Sequence, residues 1–443
     1  MSSLVLFSYD WDRLGFARHA TSYPQDTIGF DLFSFPSNAQ LVNFDLNRFV
    51  DKLARRAHAK GWTAVTSQHE QFGALAAALL AERMAWPGTP VKAVLACQHK
   101  LYAREVLARI CPEVNCAFER LPASYGQAAP QGVAYPAFVK PIKAAFSVLA
   151  RTVHNRDELQ AHTRFGAWEL WVIRHLVEPF ERIIRERLPQ AGTAHSLLLE
   201  TPMGGHQYNL DGYVFDGDVR AIGVVDAVHY PGTHAFMRFE LPSKLPASIQ
   251  DRALDVARRF LKAVGFSHGL FNMEFFYDAH SDALKVIEFN PRMASQFSDL
   301  YLQVRGVDLH QFALELAHGR DPALLPVAAS VAGAAASFVY RSFSSEDPVS
   351  IPSQKQRHAL MADFPQALLF AFKKSRSERA RDQKWLGSYR YGILHLSASD
   401  ERQLRLDCLR ASELLGWPAP YAEWHHPVPR PASPNQGALT SLT

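Results

Sequence analysis

The stretch 270-LFNMEFFYDAHSDALKVIEFNPR-292 decides how this chain is read. Its first run, Leu270 to Tyr277, is rich in aromatic and apolar residues. The second, Leu284 to Phe289, has Val286 and Ile287 at its centre. DAHSDA between them supplies turn residues, so the unit reads as a β-hairpin. A turn centred on Ser281 leaves Glu274 and Glu288 equidistant from it and facing each other across the two strands. Period-two alternation then puts Asn290 on the face of Glu288. Directly opposed like charges destabilise a sheet by up to about 1 kcal/mol. Two carboxylates and an amide oxygen are hard ligands that suit Mg²⁺ or Mn²⁺, and such a cation would cancel the repulsion.

Outward from the hairpin, 443 residues at 48% hydrophobic content can bury a large core and divide into two or three domains. Lys and Arg number 47 against 43 Asp and Glu, too small an excess to indicate a nucleic-acid partner. The four cysteines, Cys97, Cys111, Cys116 and Cys408, lack zinc or disulfide spacing and read as reduced bystanders. MSSLVLFSYDWDRLG is unlike a signal peptide, and the uncharged run from Leu324 to Tyr340 is too short and weakly apolar for a membrane span. A cytoplasmic enzyme with no membrane partner is the expectation.

Residues 1–95 alternate short apolar runs with helical patterns: SLVLFSY, a helix from Leu46 to Lys60, WTAVTS, and a helix from Phe72 to Met84. That order predicts a small α/β layer with a parallel sheet. AFVKPI, VLARTV, Leu197–Glu200 and Tyr208–Phe215 read as strands. Ser248 to Val264 reads as a helix opened by a capping-box-like Ser248 and Asp251, with Ile249, Ala253, Val256, Phe260 and Val264 as its apolar stripe. Asp226 to Arg238 reads as a loop beside an acceptor pocket. Phe372 to Lys384 is basic but not interleaved with aromatics, so it reads as a solvated face. Gly265-Phe266-Ser267-His268-Gly269 matches the GxSxG of serine hydrolases, yet a helix precedes it and a strand follows, the reverse of a nucleophile elbow.

Two lysines end apolar runs upstream: Lys100 closes VKAVLACQHK and Lys140 ends AFVK. Alone they read as surface lysines. Beside a metal site they become companions for nucleotide phosphates, because Mg²⁺ usually shares its ligands with phosphate.

The ordered set resembles the ATP-grasp superfamily, in particular its carboxylate–amine ligase branch. The resemblance covers roughly Pro87 to Gly319. Its pieces are PGTPVKAVLACQHK, YPAFVKP with Ser147 seven residues beyond the lysine, LLLE followed by MGG, NLDGYVFDG, FNMEF and VIEFNPR. It implies an α/β and α+β chain. An N-terminal Rossmann-like pre-ATP-grasp layer (1–95) would precede an ATP-grasp domain (96–330, lid about 115–200). A C-terminal α+β region (331–426) and an unstructured tail (427–443) would follow. It also implies that Lys100, Lys140 and Ser147 hold ATP phosphates, and that Glu200 and Met203 meet the nucleoside. Glu274, Glu288 and Asn290 would bind Mg²⁺ or Mn²⁺, with Arg292 stabilising the transferring phosphoryl and the acyl phosphate.

Two departures stand out. The phosphate loop PIKAAFS has no glycine, and Gln207 stands where a glutamate often follows the hinge glycines. The implied reaction joins a small carboxylate to an amine, an amino acid included, through an acyl phosphate with release of ADP and phosphate. The rivals are a thiol, bicarbonate or hydroxyl acceptor, or a regulatory nucleotide binder without turnover. Oligomeric state, a homo-oligomer included, is left open.

Overall fold

A computed structural model describes residues 2–30, 37–121, 127–144 and 149–421. Ser147 and the tail from residue 427 lie outside these residues. The first layer runs β1 (Ser2–Leu6), α1 (Asp10–Ala17), β2 (Gln25–Ile28), α2 (Leu46–Lys60), β3 (Trp62–Thr66) and α3 (Gly73–Met84). Its sheet is parallel in the order β2-β1-β3, as the alternation predicts. Helix α2 keeps its expected bounds for local reasons. Asp45 accepts a hydrogen bond from the Arg48 amide, Leu46, Val50, Leu53 and Ala57 are buried, and Gly61 ends it at φ 66°.

Two helices, α4 (Val91–Gln98) and α5 (Lys100–Ile110), lead into a four-stranded antiparallel sheet. It contains β4 (Phe118–Arg120), β5 (Ala137–Pro141) and β6 (Arg151–Val153), then after α6 (Arg156–Thr163) and α7 (Ala167–Arg187) closes with β7 (Leu197–Glu200). Its order is β4-β7-β5-β6.

The large sheet begins with β8 (His206–Phe215), β9 (Asp218–His229) and β10 (Phe236–Leu241). Asp226 to Arg238 is therefore a hairpin and not the expected loop: β9 and β10 pair up to His229–Phe236, and only the residues between turn. Strand β9 is buried on both faces and so lacks the alternation that marks a strand in the sequence. Helix α8 (Ala247–Ala263) follows, entered through Pro246 at φ −54° with no side-chain cap. The expected capping role of Ser248 is not used, since it sits inside the first turn. The predicted stripe is correct: Ile249, Ala253, Val256 and Phe260 are buried and Val264 packs beside them.

The opening stretch forms β11 (Gly269–Asp278) and β12 (Ala283–Asn290), and α9 (Ser298–Arg305) and α10 (Leu309–Ala317) cover one sheet face. After residue 330 come β13 (Ala334–Ser342), α11 (Gln354–Asp363), β14 (Leu368–Ala371), α12 (Arg376–Leu386), β15 (Tyr389–Ala398) and α13 (Glu401–Leu415). Strand β13 pairs with β10, so this region continues the same eight-stranded sheet, β12-β11-β8-β9-β10-β13-β15-β14. Helices α5 and α8 pack on one face of its β12 end, where Phe260 stacks on Phe289 at 3.9 Å between ring centroids. The opposite face carries the polar side chains described next.

Candidate active site

Glu274 pairs directly with Glu288 and Asn272 with Asn290, as the hairpin reading requires. The turn itself is displaced. Asp278 pairs with Ala283, which centres it between His280 and Ser281, and a β-bulge between Phe275 and Glu274 inserts Ile287. The extra residue aims main-chain oxygens sideways. Arg104 Nη1 donates to the Val286 carbonyl at 2.7 Å, and Arg104 Nη2 and Lys140 Nζ donate to that of Ile287 at 3.1 and 3.4 Å.

Met273, Phe275, Val286 and Phe289 point into the core, so Glu274 and Glu288 share the other face with Asn290. Asn290 Nδ2 donates to Glu274 Oε1 at 3.3 Å and to Asn272 Oδ1 at 3.2 Å, which leaves its amide oxygen as the ligating atom. Gln207 Nε2 donates to Glu274 Oε2 at 2.9 Å, so the neutral residue at the expected acidic position holds the Glu274 carboxylate in place. Behind them Asp211, buried and pushed up to about 7 by that burial, accepts from Asn272, Tyr301 and the Ala294 amide.

The cations stand around this face in ion pairs. Lys100 Nζ lies 3.1 Å from Glu288 and donates to the Ala144 carbonyl at 2.9 Å. Lys140 Nζ meets Glu200 at 2.9 Å, and Arg104 Nε meets the other oxygen of Glu200 at 2.6 Å. Arg292 Nη2 meets Glu70 at 2.6 Å. Burial raises the Glu200 carboxyl, but Lys140 and Arg104 outweigh it and hold it below the usual range. Burial and then Glu288 push Glu274 up, whereas Lys100 and Lys140 override the burial of Glu288 and hold it down. The two opposed carboxylates are thus split, as one dry face with a single lysine contact demands. Met203 is half-buried in the loop after Glu200.

This donor set fits a small hard divalent cation, whose charge would relieve the repulsion between Glu274 and Glu288. Among the described residues no three His, Cys, Asp or Glu side chains converge on a metal-sized site.

Three residues of the site escaped the sequence reading. Arg104 is 1% exposed and ties the lysine-bearing helix to Glu200 and the bulge. An arginine on the buried side of the α5 pattern was its only signal. Glu70 belongs to a run, Ser67 to Gln71, of five polar residues that are all buried where β3 ends; ends of parallel strands are where α/β layers place ligands. Lys143, 2% exposed, donates to the Glu70 carbonyl at 3.3 Å, and burial pushes it down to about 7. The GxSxG match is a decoy: α8 precedes it and β11 follows.

Residues 133–299 match the family model of the ATP-grasp domain. Over those residues the chain is similar to an ATP-grasp domain. An L-amino acid ligase from Bacillus licheniformis shares the ATP-grasp fold at TM-score 0.68 and 14% identity, covering 93% of this chain and 97% of that one. Carnosine synthase 1 of Gallus gallus is 30% identical over 263 residues, 56% of this chain and 26% of its own. An uncharacterized protein of Sinorhizobium fredii is 25% identical over 287 residues, 64% of this chain and 54% of its own. The chain thus spans about half of one of these curated relatives and about a quarter of the other. Among the described residues no helix is long and apolar enough to cross a membrane.

Proposed function

We propose that the chain is an ATP-dependent carboxylate–amine ligase that forms an amide bond through an acyl phosphate and releases ADP and phosphate. The observation that carries this reading is the opposed Glu274–Glu288 pair with Asn290 on its face and Arg292 just beyond, ringed by Lys100, Lys140 and Arg104. The likeness to an amino acid ligase and a carnosine synthase supports an amine as acceptor.

Bound at Glu274, Glu288 and Asn290, Mg²⁺ supplies charge neutralisation for the β- and γ-phosphates of ATP. The chain's own work is positioning. Lys100 and Lys140 exchange their carboxylate partners for phosphate oxygens, which accept charge-assisted bonds readily. Ser147, seven residues beyond Lys140 in the sequence, adds a hydroxyl. Both oxygens of Glu200 are taken by Arg104 and Lys140, so the nucleoside meets the strand end and Met203 more than a free carboxylate. Residues 115–200 act as the lid over this nucleotide. Arg292, held by Glu70, faces the transferring phosphoryl and then the acyl oxyanion. The amine attacks the acyl carbon and phosphate leaves.

A coupled ADP-release assay over paired small carboxylic acids and amines, amino acids included, tests this. ADP release that needs both partners, with hydroxamate formed when hydroxylamine replaces the amine, is the expected result. ATP turnover indifferent to the amine would overturn it.

A further inference from the structure

The same large sheet holds a second like-charge pair. Arg341 of β13 pairs directly with Arg390 of β15, next to a register shift at Tyr340. Opposed like charges cost a sheet stability here as they do at the glutamates. The sign is reversed, so the ligand chemistry is reversed too.

Neither guanidinium makes an ion pair among the described residues. Arg341 Nη1 donates to Ser388 Oγ at 3.1 Å, while its buried Nε has no partner. Arg390 lies over the Phe372 ring at 4.8 Å. The nearby acid is Asp382, whose two oxygens are already held by Lys374 at 2.6 Å and Arg381 at 3.1 Å. Burial, reinforced by Arg341, pushes Arg390 down to about 10. Among the described residues positive charge is therefore in excess at this point, and Arg341 and Arg390 are each only partly buried, within reach of a ligand.

The pair also faces the reaction side. Ser337, Val339 and Arg341 alternate onto the face that Ser337 shares with Phe239 and Gln296, the face of α9 and Asp211. Phe370 lies in β14, which pairs with β15, the strand that carries Arg390. Between the two cationic ends stands an aromatic wall. Tyr9 and Trp11 lie 5.3 Å apart, Trp11 meets Phe370 edge-on at 5.7 Å, and Trp11 Nε1 donates to Ser295 Oγ three residues beyond Arg292.

We infer that Arg341 and Arg390 bind the free carboxylate of an amino-acid substrate at the end remote from the bond being made. The inference rests on the ligase reading for its setting and extends it by naming the substrate class: a molecule that keeps one carboxylate through the reaction. A guanidinium pair is the fit for this, since each presents a planar fork to a carboxylate.

The test is equilibrium calorimetry with a non-hydrolysable ATP analogue present, titrating L-amino acids against their carboxamides. The wild type should bind at least one free acid about tenfold or more tightly than its amide. Arg390→Gln and Arg341→Gln should erase that preference, Arg390→Lys should keep part of it, and all should bind the ATP analogue normally, which reports an intact fold. Equal binding of acid and amide, no binding by either set, or an undiminished preference in both glutamine variants overturns the inference. Acid-selective binding without ADP release on any acid–amine pair would leave the anion site standing and reject the ligase reading instead.

Discussion

Replacing each opposed glutamate by glutamine makes the same chemical change at two facing positions, and the structure assigns them opposite effects on stability. Glu274→Gln removes one of two like charges and keeps an oxygen for Gln207 or Asn290 to donate to. It should stabilise the protein by about 1 kcal/mol. The gain depends on pH. Glu274 has a folded pKa above its unfolded value of 4.5, so folding is penalised increasingly as pH rises past that value. The gain should therefore be absent below about pH 4.5 and grow toward alkaline pH. Glu288→Gln leaves Lys100 without its counter-ion in a site where the two side chains are 12% and 18% exposed. A fully buried stranded charge costs about 3–5 kcal/mol; partial exposure and the Ala144 carbonyl reduce this to about 1–3 kcal/mol. Thermal unfolding in EDTA, across pH, reads both effects, and ADP release with Mg²⁺ reads function, which both variants should lose. Two shifts of the same sign, or a destabilised Glu274→Gln at alkaline pH, would refute the electrostatic reading of the hairpin. Wild-type turnover in Glu288→Gln would refute the metal assignment.

Other outcomes follow from single contacts. Lys140→Met should weaken ATP-analogue binding by about tenfold or more in calorimetry, with Glu200 still held by Arg104. Arg104→Met leaves Glu200 to Lys140 alone and takes a buried donor from the Val286 and Ile287 carbonyls, so a loss of about 1–3 kcal/mol is expected in denaturant unfolding. His310 is raised, because Asp12 and Asp308 outweigh the burial that would lower it. Its stabilising contribution is full below the unfolded pKa and lost as pH rises through the folded one. The melting-temperature gap between wild type and His310→Gln should therefore narrow from acid to alkaline pH.

What was legible in the sequence was local. Helix α2 and strand β7 keep their expected bounds because cap, stripe and turn residues lie within the segments themselves. The hairpin register holds at the glutamates although the turn is displaced, since the inserted Ile287 shifts only the pairs between the bulge and the turn. Pairing between distant strands carries no such mark. Nothing in AAASFVYRS says that β13 joins β10, or that Arg341 will face Arg390. Partner choice was equally hidden: Lys100, Lys140 and Arg292 were found, but Glu70 and Arg104, which hold two of them or their partners, were not.

The bulge at Ile287 also bears on motion. Lys140 belongs to the small sheet, and the hairpin to the large one, yet a hydrogen bond to the Ile287 carbonyl joins them. A second, from Lys100 to the Ala144 carbonyl, does the same from the helical side. Swinging the small sheet away has to break both. Phosphate oxygens are stronger acceptors than peptide carbonyls and compete for the same ammonium protons. Under the proposed function, nucleotide entry and the release of the small sheet from the hairpin would be alternatives for the same two lysines, which would make the bulge a place where opening speed is set without touching Glu274, Glu288 or Asn290.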